Sequence, residues 1–252
     1  MPGDRPFWAL QAPGLEDGQE PIGRVEDLAA YNLAALARRG LPAPRLLGGY
    51  SFGGIVAFEM ARQLAARGAR PERLVIIDTP APVGVATSIL SDDVDVAQAQ
   101  WLVRMADVRA RHHGTDRPFE IEDLLPLGAE ARFDFAVKRM NEWGLLPEGA
   151  DAAWLWRAHR TGLVLYRALL DYRPSADPHS RDLPLRLVRA STLRHGDLGQ
   201  SELAVVEAPA MGWERVVRVP ISVESVPGDH ISMLDVRRVL LTADVIGRFL
   251  GS

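Results

Sequence analysis

Residues 45–78 read RLLGGYSFGGIVAFEMARQLAARGARPERLVIID. Three patterns follow one another in this run. Arg45 to Tyr50 is a short strand running into Gly48-Gly49, and residues 54–67, GIVAFEMARQLAAR, are a strongly apolar helix closed by Gly68. Residues 73–78, RLVIID, form a continuous apolar strand ending in Asp78, the pattern of a strand covered on both faces. Strand, helix and strand in this spacing build one unit of a parallel sheet. The first junction carries Gly49-Tyr50-Ser51-Phe52-Gly53, which fits Gly-x-Ser-x-Gly. A serine held on a sharp strand-to-helix turn stands clear of the sheet, at the positive end of the helix. Glycine is expected two residues to either side, to avoid clashes. The Phe52 N–H is expected to face the point where an oxyanion would form. No GxGxxG or GKS/GKT run accompanies the turn, which argues against a phosphate loop.

Working outward, residues 6–11, PFWALQ, read as a strand ending at Ala12-Pro13-Gly14. Residues 24–39 read as a helix, with Val25, Leu28, Ala29, Leu33 and Leu36 at spacings of three and four. After residue 83 the pattern changes. Residues 84–180 hold no convincing buried strand but three helical stretches, near 93–112, 120–143 and 151–172. They carry Trp101, Trp143, Trp154, Trp156 and Tyr166. Strand patterns resume at 183–190 and 219–226, and 231–250 reads as a closing helix. The expected class is α/β, a mostly parallel sheet flanked by helices. Its core would be residues 1–83 and 181–252, interrupted by a helical insertion at 84–180.

A serine nucleophile needs a base, and the base needs an orienting acid. Asp78 ends the strand that follows the Ser51 helix, so its carboxylate is expected at the same sheet edge as Ser51. Of six histidines, His112, His113 and His159 fall on insertion helices and are expected to be solvated or capping. His179 and His195 fall in polar loops. His230, in Pro227-Gly228-Asp229-His230, follows the last strand and comes last in the order Ser, acid, His. Adjacent His112 and His113 cannot converge on one ion from a helix without a third ligand, so no metal site is expected.

Composition narrows the partners. The chain of 252 residues is 47% hydrophobic and 25% charged, which excludes a disordered polymer. It has no cysteine, which removes disulfides, thiolate metal sites and a cysteine nucleophile together, and fits a cytoplasmic protein. The net charge of −4 speaks against nucleic acid. The first ten residues, MPGDRPFWAL, lack a signal-peptide pattern, and no apolar run is long enough to span a membrane. The basic residues are almost all arginine, Lys138 being the single lysine.

The runs LQAPGL at 10–15, GGYSFGGIVAFEMARQL at 48–64, LVIIDTPAP at 74–82, GW at 212–213 and VPGDHISML at 226–234 resemble thioesterase domains of nonribosomal peptide and polyketide synthetases, within the α/β hydrolases. The resemblance implies release of an acyl, peptidyl or polyketide chain from the phosphopantetheine thioester of a carrier protein. The chain would pass through an acyl-Ser51 intermediate to an acid, a lactone or a lactam. His230 would be the base and Asp78 its orienter. No bound cofactor is implied, and the partner is an acyl or peptidyl carrier protein. The insertion takes the place of a helical lid, and Trp101, Trp143, Trp154 and Trp156 become candidates to line its substrate channel. Family members begin with a further strand and a Gly-rich loop carrying a second oxyanion N–H. That strand would lie between those bearing Gln11 and Gly49, and it is missing from this sequence, so the domain is expected to be N-terminally shortened. Two rivals stay open: a free carboxylesterase or lipase-like hydrolase, and a carrier-binding domain impaired by the missing donor.

Overall fold

A computed structural model describes residues 6–83, 91–174, 181–193 and 200–251. Its sheet holds four parallel strands, β1 (Leu46–Tyr50), β2 (Arg73–Ile77), β3 (Leu185–Ala190) and β4 (Ser222–Val226), in that spatial order. Tyr50 lies beside Ile77, Ile77 beside Val188, and Ala190 beside Val226. The C-terminal ends of all four strands therefore share one edge, where the loops that follow them emerge. In β2, Leu74, Val75 and Ile76 are buried. Each such side chain contributes roughly 1.5–3 kcal/mol by leaving water. That explains the unbroken apolar run RLVII.

Helix α1 (Val25–Arg38) buries Val25, Leu28, Ala29, Leu33 and Leu36, the stripe its spacing predicts. It packs on α2 (Phe52–Ala66). Helix α2 is sandwiched between α1 and the sheet: Val56, Met60 and Leu64 face α1, while Ile55, Phe58 and Ala61 join Leu74, Ile76 and Leu187. That double covering accounts for its largely apolar surface, which leaves only a polar edge at Glu59, Arg62 and Gln63. The other sheet face, through Val75, Val188 and Val226, is closed by Val245 and Phe249 of the C-terminal helix.

Between β2 and β3 run α3 (Val94–His113), α4 (Ile121–Leu124), α5 (Ala129–Glu142) and α6 (Ala152–Asp171). They share an apolar core of their own, including Leu102, Leu124, Phe133, Met140, Leu145 and Leu155. Buried Arg132 ties it together, donating to the Leu124 carbonyl at 3.1 Å and to Gln98 Oε1 at 3.1 Å. At the exit, the Tyr172 hydroxyl donates to buried Glu59 of α2 at 2.8 Å, fastening the end of α6 to the core. Among the described residues, no helix is long and apolar enough to cross a membrane.

Several boundaries differ from the sequence reading. The stretch 120–143 is two helices, because Pro126 cannot donate a helical hydrogen bond and Gly128 takes the N-cap of α5. The closing helix α8 is Val239–Gly251, not 231–250, and α7 (Gln200–Glu207) was not foreseen. Before α8, Asp235 Oδ1 accepts the N–H groups of Arg237 and Arg238 at 2.9 Å each, and Ser232–Leu234 is a 3₁₀ turn. Most plainly, residues 6–11 form no strand. Phe7 is 77% exposed and Trp8 51%, and among the described residues β1 pairs with β2 alone. A strand needs a neighbour to satisfy its N–H and C=O groups. No described strand lies between PFWALQ and β1, and the two do not pair directly.

His159 also departs from expectation. It is buried, with Trp101, Phe133 and Trp156 edge-on around its ring at centroid distances of 4.9, 5.5 and 5.6 Å. Burial lowers its pKa to about 4, from an ordinary value near 6.5. Between those values the unfolded chain binds a proton that the folded chain refuses. Stability is therefore whole above pH 6.5 and falls as pH drops toward 4, by about 1.4 kcal/mol per unit. Urea unfolding should show the wild type losing about 2 kcal/mol more than His159→Leu between pH 7.5 and 5.0. Equal losses in the two proteins would show that His159 ionises freely in the fold.

Candidate active site

The turn from β1 into α2 is tight. Ser51 adopts φ 53° and ψ −129°, outside the common regions, and Asp78, one residue after β2, has φ 44°. Left-handed or strained conformations at non-glycine residues cost roughly 1–3 kcal/mol each, so surrounding contacts must fix them. Those contacts are present. The Ser51 N–H donates to the Ile77 carbonyl at 3.1 Å, and the Asp78 N–H to the Val188 carbonyl at 2.7 Å, each extending a strand pairing past its end. The Thr79 hydroxyl lies 2.9 Å from the carbonyls of both Ser51 and Ile77. The Thr79 carbonyl in turn accepts from the buried Trp213 indole at 2.7 Å.

These two strand ends meet one histidine. His230 Nδ1 lies 2.8 Å from Asp78 Oδ2, and His230 Nε2 lies 3.0 Å from Ser51 Oγ. The other Asp78 oxygen accepts the Ala190 N–H at 2.7 Å. Asp78 is buried, while the His230 side chain is 44% exposed, so the acid end of the chain is shielded and the serine end is open. The Tyr50 ring stacks on the imidazole, centroids 4.7 Å apart at 21°, and its hydroxyl donates to the His230 carbonyl. Burial, reinforced by the nearby Asp78 carboxylate, pushes the Tyr50 phenol far above its ordinary range and keeps it a donor. Ser51, Asp78 and His230, singled out from sequence, are thus brought together.

Phe52 is the first residue of α2. The first N–H groups of a helix have no intrahelical acceptor, so the Phe52 N–H, next to Ser51, has none within α2. The glycine requirement differs from the expected one. A Cβ on Gly49 would lie 2.0 Å from the Gly53 carbonyl oxygen, so Gly49 has no alternative. A Cβ on Gly53 meets nothing within 4 Å. The second obligatory glycine is Gly54, whose Cβ would fall 2.4 Å from Thr79 Oγ1.

Of the four candidate tryptophans, Trp101 and Trp156 meet around His159, and Trp156 also stacks on Phe133 at 4.1 Å. Trp154 packs partly buried against the insertion core, beneath Arg109, and Trp143 is 43% exposed at the end of α5. His179 and His195 lie outside the described residues. Among the described residues, no group of three or more His, Asp or Glu could hold a metal ion. Sequence reading missed Tyr50, Thr79 and Trp213 as supports of the site. All three lie inside the quoted runs, but nothing in their spacing marks them as contacts of the site.

Comparison with known proteins agrees with this architecture. The thioesterase domain family matches residues 1–248. Over 92% of the chain there is 35% identity to atromentin synthetase nps3 of Serpula lacrymans var. lacrymans, and 24% identity to nonribosomal peptide synthetase apvA of Aspergillus terreus. The chain spans about a quarter of the length of these two relatives, 23% and 24%. Among solved structures, it is similar to holo-AB3403, a four-domain nonribosomal peptide synthetase. There the TM-score is 0.76 with 28% identity, covering 95% of this chain and 17% of that one.

The turn geometry can be checked directly. Gly49→Ala should destabilise the fold by roughly 3 kcal/mol or more, since its overlap is with backbone. Gly53→Ala should stay within about 0.5 kcal/mol of wild type in thermal unfolding. Equal losses at the two positions would contradict the clash geometry.

Proposed function

The chain belongs to the thioesterase domain family, and on that premise we propose that Ser51, His230 and Asp78 act together as the catalytic triad of an acyl-transfer hydrolase. The observation that carries this reading is the unbroken hydrogen-bond chain from Ser51 Oγ through the imidazole to a buried carboxylate.

The chemistry follows from which atom each group can reach. With Asp78 accepting at Nδ1, the neutral imidazole keeps its proton there and presents Nε2 to Ser51 as a base. Ser51 Oγ attacks the thioester carbonyl as its proton passes to His230 Nε2. The carbonyl oxygen becomes an oxyanion facing the Phe52 N–H at the α2 terminus. Collapse breaks the C–S bond, and the imidazolium returns the proton to the leaving thiolate. This leaves an acyl-Ser51 ester. Water then attacks with His230 again as base, releasing the acid and restoring the serine. An internal hydroxyl or amine of the bound chain in place of water gives a lactone or lactam.

The substrate is proposed to be an acyl, peptidyl or polyketide chain on a carrier-protein phosphopantetheine, without a bound cofactor. Support comes from relatives that include a nonribosomal peptide synthetase and two polyketide synthases, and from their length beyond the matched region. In this reading residues 84–180 are a lid over Ser51. The open His230–Ser51 side is the face from which a tethered thioester can approach.

A fluorophosphonate probe should label the wild type and leave Ser51→Ala unlabelled. Asp78→Asn should lower kcat by about 10⁴-fold while the fold persists, through the wrong imidazole tautomer. An acyl N-acetylcysteamine thioester should turn over with a higher kcat/KM than the matching oxygen ester. A clear preference for the oxygen ester would replace this reading with that of a free carboxylesterase.

A further inference from the structure

The turn that carries the histidine is organised around a single carboxylate. Asp229 Oδ1 accepts the Ile231 N–H at 3.1 Å, the Ser232 N–H at 2.9 Å and the Ser232 hydroxyl at 2.9 Å. The same hydroxyl accepts the Asp229 N–H at 2.9 Å. The other carboxylate oxygen, Oδ2, is taken by the guanidinium of Arg111. Arg111 belongs to α3 of the insertion, not to the sheet domain. The two side chains are 22% and 13% exposed, so the pair is largely shielded from water and salt. Burial works against the Asp229 charge, but the Ser232 backbone N–H and the Arg111 guanidinium outweigh it and bring its pKa down to about 2. Helix α3 also packs on the Ser232–Leu234 turn, and Gly114 at its end lies close to the Arg237 guanidinium. His230 itself is on no strand.

We propose that Arg111 is a positioning residue for His230: by holding the Asp229 carboxylate, it makes proton transfer from Ser51 depend on α3 being seated against the histidine loop. The inference rests on His230 being the base. Its physical content is twofold. The Asp229–Ser232 turn fixes where the imidazole stands, and Arg111 is the contact through which the insertion holds that turn. Arg111 also neutralises a carboxylate adjacent to the base. The charged and titratable groups around His230 are Asp78 after β2, Tyr50 at the end of β1, Asp229 on its own loop and Arg111 on α3. Behind them stand Asp107, 3.9 Å from Arg111, and His112 and Asp235, which face each other across the α3 contact. Removing Arg111 therefore leaves the Asp229 carboxylate without its cation beside the imidazole, and removing Asp229 leaves Arg111 with only the more distant Asp107 carboxylate.

The test uses the whole 252-residue chain as Arg111→Met, Arg111→Lys, Asp229→Asn and the double variant Arg111→Met/Asp229→Asn. Ser51→Ala and His230→Ala serve as references. Fluorophosphonate labelling rates, kcat and KM on an acyl N-acetylcysteamine thioester across pH, and thermal midpoints are measured. Arg111→Met should label about tenfold more slowly and lose kcat by a similar factor, with KM changed less than about twofold. Arg111→Lys should recover part of that rate. The acid limb of kcat/KM should move up by roughly half a pH unit or more in Arg111→Met and down in Asp229→Asn, and return toward wild type in the double variant. Acid limbs unmoved in both single variants, with rates falling only as thermal stability falls, would overturn the proposal and leave the pair a structural tie. Should Asp229→Asn not fold, the two Arg111 variants decide alone: a limb moved by Met and not by Lys supports the proposal, and one unmoved by both overturns it. Turnover by Ser51→Ala, or wild-type labelling of His230→Ala, would instead defeat the triad reading itself.

Discussion

The Asp78 carboxylate does two jobs at once, and much of the molecule is arranged to let it. One oxygen accepts the Ala190 N–H at the end of β3, and the other meets the His230 ring. For both bonds to form, β2 and β3 must end level and the loop after β4 must fold back over them. The parallel register achieves the first, with Ile77 beside Val188 and the Asp78 N–H extending the ladder to the Val188 carbonyl. The burial of β2 between helices on both faces holds that register, because a one-residue slip would carry Leu74 and Ile76 to the wrong side. A buried carboxylate in such a place is tolerable only when its oxygens are paired.

The strained residues sit at the same edge. Ser51 and Asp78 both have positive φ, each just past the end of one of two adjacent strands, and the Thr79 hydroxyl bridges the carbonyls of Ser51 and Ile77. Trp213 then locks the carbonyl of that threonine from below while its ring fills the core beside Phe58. The strain at the sheet edge is thus offset by burial of the largest side chain in the core, which arrives from a segment far along the chain. Two glycines serve the same crowded edge: at Gly49 the strand end and the first helical residues come closer than a Cβ permits, and at Gly54 the Thr79 side chain takes the space.

Sequence reading reached the parallel unit 45–78, the helix stripe of α1 and the three residues of the hydrogen-bond chain, because each leaves a local mark. Strand ends, apolar period and a Gly-x-Ser-x-Gly turn are properties of neighbouring residues. It failed where a property depends on distant ones. PFWALQ has the composition of a strand, yet strand formation is decided by a partner that the pattern cannot show. His159 looks like any helical histidine until Trp101 and Phe133, from two other helices, close around it. Gly53 matches the motif but faces open space, so the motif position and the steric need come apart. Tyr50 is the x of the same motif, and nothing in its spacing tells that its ring will lie on the imidazole of residue 230.

The site divides into a rigid part and an adjustable part. Ser51 and Asp78 are fixed by the sheet, since their backbones are continuations of β1 and β2. His230 is not. Its ring is held by a stack on Tyr50, by Asp78, and by a turn whose carboxylate is shared with α3. In the proposed triad, proton transfer needs Nε2 within hydrogen-bond reach of Oγ, and a displacement of about 1 Å can cost on the order of 100-fold in rate. The side chain on whose placement that proposal depends most is therefore the one least tied to the sheet. The contacts that place it come from two structural units: β1 and β2 in the sheet domain, and α3 in the insertion. On the proposed roles, a shift of the insertion would reach the base through Arg111, while the pairings of Ser51 and Asp78 with the sheet hold the nucleophile and the acid in place. In the proposed reaction, the Arg111–Asp229 pair is the contact through which the helical insertion would act on acyl transfer.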